Sequence, residues 1–155
     1  YEDHVLFNKN KTILIAYRAK EINYTVPDSI TTIGEGAFKG CNSLTSIKIP
    51  NSVTTIENFG FWDCKSLTNI NIPNSVTTIE NGVFSGCNSL TNINIPNSVT
   101  MIGENAFSGC DSLTSINIPN SVTTIGNSAF CECRNLLSYI KSDIFQRFGE
   151  EVFKY

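Results

Sequence analysis

The sequence predicts a β-rich solenoid with short helical turns, in which coils of equal length stack on one another. All five prolines of the 155-residue chain recur at intervals of 23 residues: Pro27, Pro50, Pro73, Pro96 and Pro119. The segments that begin at Ile49, Ile72 and Ile95 are near-copies without insertions. Constant spacing of this kind is typical of a solenoid whose coils each bury an apolar face against the next coil.

Residues 1–25 predict an N-terminal cap followed by a first strand. The apolar runs 5–7 and 13–15 lie on either side of a polar turn, which is the pattern of a β-hairpin. A hairpin at this position covers an end of the stack that would otherwise pair with another chain. The first residues, Tyr1 to His4, do not have the basic and then apolar pattern of a signal peptide, so we expect none in this sequence.

Residues 26–140 predict five coils of 23 residues. Each coil has apolar residues spaced as Leu44, Ile47 and Ile49, which is the pattern of a short strand whose alternate side chains point inward. The proline that follows is expected to end that strand. A pair spaced as Val53 and Ile56 predicts a second extended segment on the opposite side of the coil.

A helical turn is expected to complete each coil, and its Ala-Phe pair, as at Ala37 and Phe38, fills the interior. Three glycines follow this pair at the same distance, where a left-handed residue ends such a turn: Gly40, Gly86 and Gly109.

Residues 141–155 predict a helical C-terminal cap, because the repeat pattern is lost after Cys133. We expect the helix to begin at Ser142, whose hydroxyl suits an N-cap, and to end at Gly149. Five apolar residues are expected to cover the stack: Ile144, Phe145, Phe148, Val152 and Phe153.

The repeat I-P-x-S-V-T-x-I-x-x-x-A-F-x-x-C-x-S-L-x-x-I resembles that of the BspA-like leucine-rich repeats over about residues 21–141. The resemblance implies a right-handed, curved array with a parallel sheet on its concave face. With the two predicted caps, the repeats are expected to form one domain over residues 1–155. Such repeats occur in surface-exposed proteins of anaerobic bacteria and some protozoa, as adhesion or protein-binding modules. A cell-surface or secreted location is therefore expected, with a host extracellular-matrix protein among the expected partners.

The charge argues against two classes of partner. The whole chain carries a net charge of −3, and residues 26–133 carry three basic and eight acidic side chains, a net charge of −5. Nucleic acids and anionic membranes need clustered Lys and Arg, so neither is expected to bind. No run approaches 18 apolar residues, so we expect no insertion into a membrane.

Five cysteines occupy one repeat position and are expected to form a ladder along the stack: Cys41, Cys64, Cys87, Cys110 and Cys133. Buried apolar filling is the favoured interpretation, because zinc sites commonly use C-x-x-C pairs with a nearby His, and neither is present. Metal or redox chemistry is the alternative. Cys131 lies at a position expected to be exposed, so it is either a reactive thiol or a drifted surface residue.

The sequence offers no assembled catalytic set, so we expect neither an enzyme nor a cofactor or metal. His4, the one histidine, lies in the predicted N-terminal cap. Four glutamates form a loose row that is more simply explained as a solvated face than as acid–base pairs: Glu35, Glu57, Glu80 and Glu104.

The outward strand positions form the first candidate binding surface. Eight of its residues, in two neighbouring stripes, are Ser46, Lys48, Asn69, Asn71, Asn92, Asn94, Ser115 and Asn117. Uncharged hydrogen-bonding groups suit a polar peptide or a glycan. In the alternative interpretation, the Asn side chains hydrogen-bond to one another along the stack and have only a structural role.

Phe59 and Trp62 form the second candidate surface, because they replace small or polar residues of the other coils and lie three residues apart on one turn. Asp63 replaces a glycine there, which predicts a locally altered turn. The pair either anchors a protein partner or a second copy of the chain, or belongs to a repacked coil that buries one ring. The sequence therefore favours a non-catalytic binding module, with a structural spacer as the rival function.

Overall fold

A computed structural model, which describes residues 4–155, shows a β-solenoid of about five turns with parallel sheets and one C-terminal α-helix. Residues 1–3, the start of the predicted cap, lie outside the described residues. The strands are β1 Val5–Phe7, β2 Ile13–Tyr17, β3 Asn23–Thr25, β4 Thr32–Ile33, β5 Ser46–Lys48, β6 Thr55–Ile56, β7 Asn69–Ile70, β8 Thr78–Ile79, β9 Asn92–Asn94, β10 Met101–Ile102, β11 Ser115–Asn117 and β12 Thr124–Ile125.

The predicted N-terminal hairpin is confirmed. β1 and β2 pair antiparallel, and β2 also pairs parallel with β4. The hairpin is therefore the first rung of one of the two stacks of strands, which continues through β4 and β6 and then through β8, β10 and β12. The strands β3, β5 and β7, followed by β9 and β11, form the other stack, and we call its outer surface the strand face.

Both stacks are interrupted between the same two coils. β6 and β8 do not pair, and β7 and β9 share only a bridge between Asn71 and Asn94. The N–H of Glu80 lacks the hydrogen bond that the N–H of Glu57, one coil earlier, donates to the preceding coil at 2.9 Å. Glu57 and Glu80 occupy equivalent positions, where the other coils have glycine, so the interruption falls between the two neighbouring coils that both carry a side chain at this position.

A ladder of aromatic rings runs through the core of the stack. Its members are Tyr17, Phe38, Phe61, Phe84, Phe107, Phe130 and Phe153. From the second ring to the sixth, neighbouring centroids lie 4.9–5.7 Å apart and the ring planes are within 16° of parallel. Each ring therefore packs against both neighbouring coils and couples them.

The turn that carries each ring ends in a left-handed residue, as predicted for Gly40, Gly86 and Gly109. Asp63 adopts the same conformation, with φ of 59°, and its N–H donates to Ser85 O at 2.8 Å. The expectation of an altered turn at Asp63 is therefore wrong, because the inter-coil hydrogen bonds hold the aspartate in the backbone conformation of the glycine.

The C-terminal helix, α1 Ser138–Phe148, begins four residues before the predicted N-cap Ser142, and it ends at Gly149 as predicted. Ile140 and Ile144 are its buried residues, whereas Phe145 is 53% exposed. The prediction that Phe145 covers the stack is wrong. Residues four apart lie on the same face of a helix, so the face that packs on the stack contains Ile140 and Ile144, and Phe145 lies beside it. The 23-residue period would place positions 138 and 140 on the strand face, one coil after Ser115 and Asn117, but both lie in the helix.

A 3₁₀ turn at Glu151–Phe153 continues the stack after α1. Phe130 N–H donates to Val152 O at 2.8 Å, just as Phe107 N–H donates to Ala129 O at 2.8 Å one coil earlier. Val152 is buried and Phe153 packs on the ring of Phe130, which confirms that both cover the stack. This turn repeats the geometry of one more coil.

Candidate functional site

The strand face presents two straight rows of polar side chains. Parallel pairing places Ser46 beside Asn69 in the first row and Asn94 beside Asn117 in the second. The residue between the two rows is a buried isoleucine in each coil, as at Ile93. Because strand residues alternate between faces, burial of that isoleucine directs its two neighbours outward.

Most of these polar side chains have no hydrogen-bond partner in the part of the chain that the structure describes. The exception is Ser46, whose hydroxyl donates to Asn23 Oδ1 at 2.6 Å. Six exposed residues make no side-chain hydrogen bond with any of residues 4–155: Asn69, Asn71, Asn92, Asn94, Ser115 and Asn117. Among these six residues, the mutual hydrogen bonding of the structural alternative is not formed, and their polar groups remain available to a ligand.

Polar side chains elsewhere in the coil behave differently. Asn58 Oδ1 and Asn81 Oδ1, on the turns, accept the N–H groups of Asn81 and Glu104 at 3.1 and 2.8 Å. Beside the strand face, the hydroxyls of Thr68 and Thr114 donate to carbonyls of the preceding coil at 3.1 and 3.2 Å. The chain thus uses other repeated polar positions to join its coils and leaves the six strand-face side chains named above without such a bond.

Two shallow depressions lie on the strand face. The first, of about 670 Å³, lies at β5 and β7, and Asp28, Lys48, Asn69 and Asn71 are among the residues that line it. The second, of about 410 Å³, lies between β11 and α1 and is lined by Ser115, Asn117, Tyr139 and Asp143. Lys48 is the one charged member of the two rows, and Asp28 lies in the same depression, so the surface has little net charge.

Tyr139 is a site residue that sequence reasoning missed. The repeat phase assigned position 139 to an inward strand residue, but it lies in the first turn of α1 and is 70% exposed. Its ring borders the depression that contains Ser115 and Asn117. An aromatic residue where the repeat needs a buried isoleucine was the available signal.

Phe59 and Trp62 do share one face, with ring centroids 6.2 Å apart in an edge-to-face arrangement. Phe59 is 41% exposed and has a left-handed backbone, with φ of 58°. Trp62 is half-buried, and the Lys39 ammonium lies 4.1 Å from its ring centroid. The next coil has Gly82 at the position of Phe59, and the ring of Phe59 occupies the space that a side chain there would need.

The five repeated cysteines donate their thiols to backbone carbonyls of the preceding coil. The Sγ–O distances are 3.6 Å for Cys41 and 3.0–3.3 Å for the other four residues: Cys64, Cys87, Cys110 and Cys133. Burial raises the pKa of Cys87 and Cys133 to about 12 and raises that of Cys110 well above its usual value. These three thiols therefore stay protonated at neutral pH and act as hydrogen-bond donors.

The expectation that Cys131 is exposed is wrong, because only 2% of its surface is accessible. Phe153, Lys154 and Tyr155 lie around the same cavity, and Tyr155 Oη donates to Glu132 Oε1 at 2.5 Å. The C-terminal segment thus covers a position that is more open in the other coils. Burial also raises the pKa of the Cys131 thiol, which does not favour a reactive thiolate.

The remaining chemistry-bearing residues do not converge. Within residues 4–155, no three His, Cys, Asp or Glu residues are placed to hold a metal ion. His4 is exposed at the start of the hairpin, and a Glu57 carboxylate oxygen accepts the N–H of Glu35 at 2.9 Å. Among the described residues, no helix is long and apolar enough to cross a membrane.

Comparison with known proteins identifies the repeat. The sequence profile described as "BspA type Leucine rich repeat region" matches residues 16–137, in six copies. No curated protein matches the sequence.

Several solved structures are similar to the chain. A leucine-rich repeat protein from Bacteroides ovatus is 36% identical, with a TM-score of 0.77 over 88% of this chain and 39% of that one. A leucine rich cell surface protein from Faecalibacterium prausnitzii is 33% identical, with a TM-score of 0.83 over 94% and 40%. A leucine-rich repeat protein from Eubacterium ventriosum is 28% identical, with a TM-score of 0.71 over 99% of this chain and 50% of that one. The chain thus spans half or less of these proteins.

Proposed function

Because this chain belongs to the BspA-type leucine-rich repeat family, whose repeats commonly mediate protein binding, we propose that it is a non-catalytic binding module whose strand face holds the ligand. Similar repeat proteins are typically non-catalytic. The ligand is an uncharged polar surface of a protein or a glycan. The proposal extends to a cell-surface or secreted location, supported by the similarity to the Faecalibacterium protein, which is a cell surface protein.

One observation carries this proposal: six exposed polar side chains on the strand face have no hydrogen-bond partner within residues 4–155, although other repeated polar groups do. A spacer array needs only the groups that join coil to coil, such as the amides of Asn58 and Asn81. Five unpartnered amides and one hydroxyl, aligned in two rows, suit a protein that must recognise a polar partner, because each amide offers both donors and an acceptor.

We expect Asn71→Arg and Asn94→Arg to weaken ligand binding at least about tenfold, because each places a long charged side chain in the centre of the strand face. The measurement is binding of the purified chain to immobilised extracellular-matrix proteins and glycans. Asn127→Arg, which adds the same charge on an exposed turn, is the matched control and is expected to bind normally.

Equal binding by all three variants would place the ligand elsewhere on the molecule. A parent chain that binds no member of the panel would favour the spacer function.

The pair Phe59 and Trp62 supports a second contact surface, for a protein partner or another copy of the chain. The supporting observation is an exposed phenylalanine in a left-handed conformation that costs a residue with a side chain about 1–2 kcal/mol. Three of the other coils have Gly or Ser at the position of Phe59, and two have Ser at that of Trp62.

We expect the double variant Phe59→Ser/Trp62→Ser to lose association at least about tenfold, since aromatic anchors contribute much of an interface's energy. Light scattering after size exclusion measures self-association, and the same panel measures binding to other proteins. Serine occurs at both positions in other coils, so the fold should be kept. Unchanged binding together with an unchanged oligomeric state would remove this surface from consideration.

A further inference from the structure

We infer that the ligand of the strand face is a neutral, linear glycan that lies along the two rows of amides and stacks one sugar ring on Tyr139. This inference rests on the proposed function and names the class of ligand. Three features of the surface lead to it: its hydrogen-bonding groups, its lack of apolar anchors, and the aromatic side chain at one end.

The hydrogen-bonding groups match those of a sugar. The side chains of Asn71, Asn94 and Asn117 each present an NH₂ donor and a carbonyl acceptor, and none is used within the described chain. A sugar hydroxyl both donates and accepts, so it pairs with either end of an amide. Neighbouring coils place equivalent amides about 4.8 Å apart, so each row presents a regular series of such groups along the stack.

The two rows themselves lack what a protein partner usually needs. Protein interfaces have a desolvated centre anchored by Trp, Tyr, Arg or other large side chains. No exposed apolar side chain lies in the two rows, where the residue between them, such as Ile70 or Ile93, is buried. An extended peptide that joins a sheet needs an open strand edge, whereas the strand face presents the middle of a sheet.

The charge of the surface excludes a polyanionic glycan and gives no reason to select a polycationic one. Lys48 is the one charged residue in the rows, and Asp28 lines the same depression. Asp143, at the other end, lies 3.3 Å from the Arg147 guanidinium, so its charge is offset as well. The ligand class is therefore uncharged.

Tyr139 supplies the platform that a sugar ring needs. The apolar face of a pyranose packs against an aromatic ring, and Tyr139 is 70% exposed beside Ser115 and Asn117. Its position follows from α1, which starts where the next strand of the stack would lie and holds the ring at the end of both rows. The rows and the ring thus form one continuous surface.

The experiment titrates the full chain with cellohexaose, mannohexaose or xylohexaose and observes the side-chain NH₂ signals of the asparagines by NMR. We expect at least one of the three to shift the signals of Asn71, Asn94 and Asn117, and hexagalacturonate, an anionic counterpart, to shift none. Tyr139→Ala should weaken binding about five- to tenfold, whereas Tyr139→Phe should retain it because only the ring is needed.

Phe145→Ala is the matched control, because it removes an exposed ring from another face of α1 and should leave binding unchanged. Failure of all three neutral hexasaccharides to shift the asparagine signals would overturn the inference. If a protein still bound through Asn71 and Asn94, the proposed function would stand without it. Equal weakening by Tyr139→Ala and Phe145→Ala would indicate an effect on the helix rather than on a sugar contact.

Discussion

Replacement of Phe84 with alanine is expected to lower the free energy of unfolding by about 3–5 kcal/mol, the usual cost of removing a fully buried phenylalanine. Phe84 is the central ring of the ladder and lies 5.7 Å from Phe61 and 5.5 Å from Phe107. The stability of a solenoid is approximately the sum of its coils and their interfaces. A cavity at this ring therefore weakens the two interfaces that join the halves of the stack.

Urea unfolding followed by circular dichroism measures this loss. Phe84→Leu is the informative second variant, because it keeps most of the volume and removes the ring, and about 1.5 kcal/mol or less is expected from it. A loss below about 1.5 kcal/mol for Phe84→Ala would mean that the neighbouring coils close over the gap, and that the ladder does not couple them.

The second large effect is expected at the C-terminal helix, where Ile144→Asp should lower the free energy of unfolding by about 3–5 kcal/mol. The side chain of Ile144 is fully buried against the last coil, so an aspartate there either buries a carboxylate or detaches the helix. A detached helix would expose the apolar residues that it buries, such as Ile140, and exposed apolar surface promotes association between chains. Urea unfolding and light scattering report the two consequences.

Phe145→Asp is the matched control, because it makes a comparable change at the next residue, which is 53% exposed. We expect that variant to stay within about 0.5 kcal/mol of the parent chain and to remain dispersed, as surface substitutions usually do. Equal destabilisation by both variants would contradict the packing of α1 seen in the structure.

Much of the fold could be predicted because the same pattern of apolar, proline and glycine residues recurs in successive coils. The inward residues, the end of each strand at proline, the left-handed glycines and the N-terminal hairpin all follow from spacing and from local conformational preferences. The predictions were wrong at Asp63, where the turn keeps the conformation of the glycine, and near the C-terminal end of the stack, at Ser142, Phe145 and Cys131. Near that end, the position of a residue within the 23-residue repeat no longer predicts its environment. Packing against the last coil determines where α1 begins, and the C-terminal segment covers Cys131.

The candidate site could be predicted only in part. Alternation along the strand places the side chains of Asn71 and Asn94 outward, and that much is contained in the sequence. Tyr139 joins them only because α1 begins at Ser138 and holds the ring beside Asn117. Tyr139 is 22 residues after Asn117 in the sequence and reaches the site because α1 packs against the last coil. The 23-residue period does not predict that packing.

By itself, the sequence determined the solenoid, the length of its coils and the residues that fill them. Apolar residues that recur every 23 positions are buried when coils of that length stack on one another. Only the tertiary structure decided which polar groups are used to hold the coils together. The amides of Asn58 and Asn81 reach backbone N–H groups of the next coil, whereas those of Asn71 and Asn94 reach no partner among the described residues. A hydrogen bond depends on distance and direction between coils, and a repeat period specifies neither.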